Sequence, residues 1–89
     1  MKDEVAQRKI ANRLKRAKGQ LDGVIAAVEG GSSCKDVVTQ LSAVTHALNR
    51  AGFLIVSTAM ENCISDPEGT EEREGLTTEE LEKLFLALA

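Results

Sequence analysis

The side chains of this chain best equipped for chemistry are two cysteines, one histidine and a run of arginines and lysines. Cys34 and Cys63 lie in a proline-free stretch, residues 32–65. Apolar residues recur there every three or four positions: Val37, Val38, Leu41, Val44, Leu48, Ala51, Leu54, Ile55 and Ala59. That period predicts one long helix with a thiol near each end. The thiols are 29 positions apart, about eight turns, so both fall on one face. At about 1.5 Å per residue they stand roughly 43 Å apart, whereas a disulfide needs Cα atoms within about 7 Å. One straight helix cannot join them. Two copies packed antiparallel, with a two-fold axis near Leu48 and Asn49, can bring Cys34 of one chain to Cys63 of the other.

The two thiols should also differ. Ser33 reads as an N-cap with Asp36 at the third helical position, a variant of the capping box. Cys34 then sits in the first turn, where the helix dipole and nearby Lys35 favour a thiolate. Cys63 lies near the other end, beside Glu61, where the dipole opposes an anion. Cys34 is therefore the expected nucleophile and Cys63 the resolving thiol. The plainer reading is that both are small buried apolar residues. His46, the sole histidine, stands mid-helix, far along the axis from both thiols, and reads as a structural or surface residue.

The elements that must position these residues are helical. The chain has 89 residues, enough for one domain spanning 1–89, with two Phe and no Tyr or Trp. Yet 43% of it is hydrophobic, more than a single layer of helices can cover, which predicts an obligate oligomer. The expected fold is all-α, with three helices. The first spans 4–29 with Asp3 as cap, and its Ile10, Leu14, Ala17, Leu21, Val24 and Val28 form a heptad-like seam. Gly30-Gly31 ends it. Residues 66–76 read as a polar loop. Thr77 or Thr78 caps a last helix, with Glu80 or Glu79 in capping-box range, and Leu81, Leu84, Phe85 and Leu88 form its docking stripe. Residues 1–20 lack the apolar core of a signal peptide, and no apolar run approaches the roughly 18 residues of a membrane span. A cytoplasmic chain with no membrane partner is expected. In a reducing compartment, paired thiols more often bind metal or sense redox state than form structural disulfides.

The net charge of −3 is unevenly placed. Residues 1–50 carry nine Lys/Arg against five Asp/Glu, or +4; residues 51–89 carry two against nine, or −7. Arg8, Lys9, Arg13, Lys15, Arg16 and Lys18 crowd the first helix away from its seam. A basic half within an acidic chain is compatible with nucleic-acid binding, because binding follows local charge. The plainer reading is a solvated face. No base, oxyanion feature or cofactor motif accompanies the cysteines, so neither an enzyme nor a cofactor-bearing protein is expected. A helical interaction module is the remaining alternative from another class.

NRLKRAKGQLDGV at 12–24, CKDVVTQLSAV at 34–44 and ALNRAG at 47–52, followed by Cys63, resemble the CsoR/RcnR/FrmR family of transcriptional repressors. The likeness covers residues 8–65 in register and the last helix more loosely. It implies three helices per chain, an antiparallel four-helix-bundle dimer and a dimer-of-dimers tetramer. It also implies an operator-binding repressor without a helix-turn-helix, its DNA contacts at Arg13 and Arg50, joined by Lys15, Arg16 and Lys18. Copper sensors of the family place a histidine four residues before the second cysteine. Here that position is Ala59, which has no donor atom. The two-thiol pattern looks like the persulfide-sensing, CstR-like branch. On that resemblance the sensor thiols are Cys34 and Cys63 of different subunits, with no metal set, and the inducer is a persulfide or polysulfide that derepresses a sulfide-detoxification operon. A Cu(I)-responsive or formaldehyde-responsive repressor is the alternative. Met60 offers a soft thioether but sits about 100° around the helix from position 59.

Overall fold

The computed structural model describes residues 3–89. Lys2, one of the nine basic residues counted in 1–50, lies outside them. Among the described residues there are four helices: α1 (Glu4–Glu29), α2 (Cys34–Ser65), α3 (Pro67–Glu74) and α4 (Thr78–Leu88). The expectation of three helices is corrected by α3, which occupies most of the segment expected to be a loop.

Local chemistry accounts for each boundary. The Asp3 carboxylate accepts the Val5 and Ala6 amides at 3.0 and 3.1 Å, satisfying donors that lack intrahelical partners. At the other end of α1, Gly31 adopts φ +74°. The Ser32 amide then donates to the Ala27 carbonyl at 2.9 Å, and the Gly31 amide to that of Val28 at 3.2 Å. This is a Schellman closure, and its left-handed residue is Gly31. Ser33 Oγ accepts the Asp36 amide at 3.2 Å and starts α2.

Asp66 closes α2 and opens α3 at once. Its amide donates to the Asn62 carbonyl at 2.8 Å, and its carboxylate accepts the Gly69 amide at 3.1 Å. Pro67 follows at the first helical position, where its missing N–H is no loss and its fixed φ suits a helix. Gly75, at φ +64°, ends α3. Thr77 caps α4: its hydroxyl accepts the Glu80 amide at 3.2 Å and lies 3.1 Å from the Glu80 carboxylate.

The helices pack as a thin sheet-like body of 52 × 25 × 15 Å. α1 lies against α2, burying Ala6, Ile10, Ala17 and Val24 on one side and Val44 and Ala51 on the other. α4 runs antiparallel along the second half of α2. Leu81 joins Val56 and Cys63 in a small core, Phe85 meets Phe53 with ring centroids 5.8 Å apart, and Leu88 reaches Gly52. Leu84, placed in the docking stripe by its spacing, is exposed.

The seam of α1 splits by sevens. Ile10, Ala17 and Val24 are buried, whereas Leu14, Leu21 and Val28 remain 41%, 41% and 60% exposed. α2 likewise leaves Val38, Leu41, Leu48 and Ile55 exposed. A layer one helix thick buries one stripe of each helix and leaves the other to solvent.

Candidate nucleic-acid interface and thiol positions

An open groove of about 480 Å³ runs between α1 and α2, lined by Arg13, Arg16 and Gln20 from α1 and by Ala43, His46, Ala47 and Arg50 from α2. The spacing explains it. Arg13, Arg16 and Gln20 follow the three- and four-residue steps of one helical stripe. His46 and Arg50 are one turn apart on α2, and Ala43 and Ala47 keep the floor low because they carry only methyl groups. Lys9 and Asn12 extend the basic edge past Arg13 and Arg16 in an adjoining shallow depression. No carboxylate lines either surface among the described residues.

Three of the five basic residues singled out from the sequence thus share one groove. Lys15 and Lys18 are exposed on α1 but line neither depression. At about 100° per residue they stand some 200° and 140° around the helix from Arg13. Sequence reasoning did not group Lys9, Gln20 or His46 with these residues. The signal for Lys9 and Gln20 was the 4, 3, 4 spacing of Lys9, Arg13, Arg16 and Gln20. The signal for His46 was its position one turn before Arg50. The grouping is suited to anions: a guanidinium presents a rigid fork of donors that matches phosphate oxygens two at a time.

The thiols lie at the two ends of α2. Cys34 is exposed in its first turn, and Cys63 is buried, 6% accessible, beneath α4. Val56 and Leu81 share its cluster, with Ala59, Leu76 and Leu88 packed around it. α2 is unbroken between the cysteines, so within one chain they are about 43 Å apart along its axis. A link between these two thiols therefore runs between chains. Among the described residues of one chain, no three His, Cys, Asp or Glu side chains converge on a common point. Ala59 faces the apolar cluster, and Met60 beside it is exposed. No helix of the described residues is long and apolar enough to cross a membrane.

Comparison with known proteins gives the family. The family model described as metal-sensitive transcriptional repressor matches residues 6–88. The copper-sensing transcriptional repressor CsoR of Mycobacterium ulcerans is 43% identical over 67 residues, which cover 73% of this chain and 57% of that protein. The copper-sensing transcriptional repressor RicR of Mycobacterium tuberculosis is 36% identical over 55 residues, 62% of this chain and 57% of that protein. YrkD of Bacillus subtilis is 41% identical over 58 residues, 64% of this chain and 92% of that protein. The chain spans little more than half the length of the mycobacterial repressors it matches. No solved structure gives a significant match.

Proposed function

We propose a function from one premise: the chain belongs to the metal-sensitive transcriptional repressor family. It is a DNA-binding repressor that holds operator phosphates with Arg13, Arg16 and Arg50 and is released when a thiol-seeking inducer acts at Cys34 and Cys63. The observation that carries the DNA reading is the groove itself, where guanidinium groups from two helices line one surface with no lining carboxylate. Lys15 and Lys18, outside the groove, add to the long-range attraction for a polyanion rather than to its fit. The working unit is an oligomer. Leu14, Leu21 and Val28 on α1, with Leu41, Leu48 and Ile55 on α2, form an exposed apolar face that a second, antiparallel copy would cover.

The relatives named as copper-sensing favour Cu(I) as inducer. Thiolates are soft ligands that suit this ion, and Cys34 of one copy with Cys63 of another would supply two of them. A second reading, persulfide or polysulfide, is favoured by Ala59. The residue one turn before Cys63 offers no third ligand and packs against apolar neighbours instead. Sulfur chemistry needs only the two thiols. The Cys34 thiolate would take a sulfur atom from a polysulfide, which departs one atom shorter. The Cys63 thiolate of the other copy would then attack the Cys34 side of that persulfide and expel sulfide, leaving a disulfide. The two thiols lose two electrons, and the polysulfide sulfur accepts them. Release from DNA requires the modified form to bind more weakly, by about 1.4 kcal/mol for each tenfold.

The test is DNA binding measured side by side with Cu(I), polysulfide and formaldehyde, for the natural chain and for Cys34→Ser. Release by Cu(I) with a stoichiometric metal complex supports copper. Release by polysulfide with a Cys34–Cys63 link between chains supports the sulfur reading. In either case Cys34→Ser should bind DNA normally and ignore the inducer. A variant that is still released refutes the role given to Cys34.

A further inference from the structure

We propose that His46 is a proton-dependent phosphate contact, so that DNA affinity rises as pH falls. The inference rests on the DNA-binding reading and adds its regulation. His46 is exposed and lines the arginine groove one turn from Arg50. The charged groups that face it are Arg13 and Arg16 across the groove on α1 and Arg50 on its own helix, with Lys9 beyond Arg13. α3 and α4 contribute no lining residue.

Histidine is the side chain whose charge ordinarily changes between about pH 5 and 8. A phosphate strand in the groove would neutralise the arginines and offer an imidazolium an acceptor. Proton uptake and DNA binding therefore favour one another, as linkage requires. The bound state carries one more cation per engaged groove at low pH than at high pH. His46 is exposed, and besides Arg50 the other α2 residues of the lining, Ala43 and Ala47, carry only methyl groups.

The consequence is a salt effect that depends on pH. Each phosphate neutralised releases counterions and adds about 0.9 to the slope of log affinity against log salt. Protonated His46 would add that increment for each engaged chain, or roughly eightfold in affinity at about 0.1 M salt. The experiment titrates the reduced full chain with a mixed-sequence DNA duplex across a salt series at about pH 6 and about pH 8. The natural chain should bind more tightly and with a steeper salt slope at the lower pH. His46→Gln should remove the difference between the two pH values, and His46→Lys should give the steeper slope at both. Salt-dependent binding whose slope does not change with pH overturns the inference and leaves the DNA reading standing. Retention of the full pH effect in His46→Gln overturns the inference in the same way. Absence of salt-dependent duplex binding at both pH values overturns the DNA reading and this inference together.

Discussion

Replacing Leu81 should open the route to Cys63. Leu81 is 3% exposed and shares its cluster with Cys63 and Val56. It is the main anchor of α4, an 11-residue helix too short to persist without docking. Leu81→Ala removes that anchor and leaves a cavity, a change that costs about 2–5 kcal/mol at buried leucines. If the cost falls on the docking of α4, the undocked fraction rises by at least about thirtyfold, since 1.4 kcal/mol is tenfold. Cys63 should then react that much faster with iodoacetamide. Cys34 is already exposed, so its rate should change far less and the ratio of the two rates reports the opening. Peptide mass spectrometry after timed quenching gives both rates in one sample, and far-ultraviolet circular dichroism separates local undocking from global unfolding. Two results would refute the reasoning. One is a natural chain in which Cys63 is labelled as fast as Cys34. The other is a folded Leu81→Ala chain whose ratio of rates is unchanged. If the ratio rises as worked out, any inducer that must reach Cys63 does so by displacing α4.

Two other substitutions probe how the helices are held. Gly52→Val should loosen α4 from α2, because a Cβ there already lies 3.1 Å from two Leu88 carbons and valine adds branches. Accelerated Cys63 labelling without labelling of new sites elsewhere would show it. Asp66→Ala should cost about 1 kcal/mol in a urea titration at fixed protein concentration, the usual worth of an N-cap. Arg73→Ala should cost less, because its 3.3 Å pair with Asp66 is partly exposed and such pairs contribute little. The reverse order would show that the ion pair, not the cap, holds α3.

Much of the architecture is legible because it is encoded locally. Asp3, Ser33 and Thr77 are capping residues followed by apolar periods, and the helices they start are observed. α3 escapes a reading by periodicity because an almost wholly polar segment has no hydrophobic period to detect. Its start and stop signals, Asp66-Pro67 and Gly75, are nonetheless present.

The pattern of residues is sufficient for an all-helical chain, a long second helix and thiols too far apart to meet within it. These follow from the pitch and rise of a helix, which no packing alters. Which stripe of each helix is buried does not follow. Ile10 and Leu14 are equally apolar and belong to the same seam, but only Ile10 faces α2. Helical spacing separates Arg13 and Arg16 from Lys15 and Lys18 around the axis, but it does not say which of these equally charged pairs lies beside α2. Periodicity defines directions around one helix axis. The direction that meets a neighbour is decided when two helices dock, and that docking brings Arg50 and His46, more than 30 residues on, to the arginines of α1.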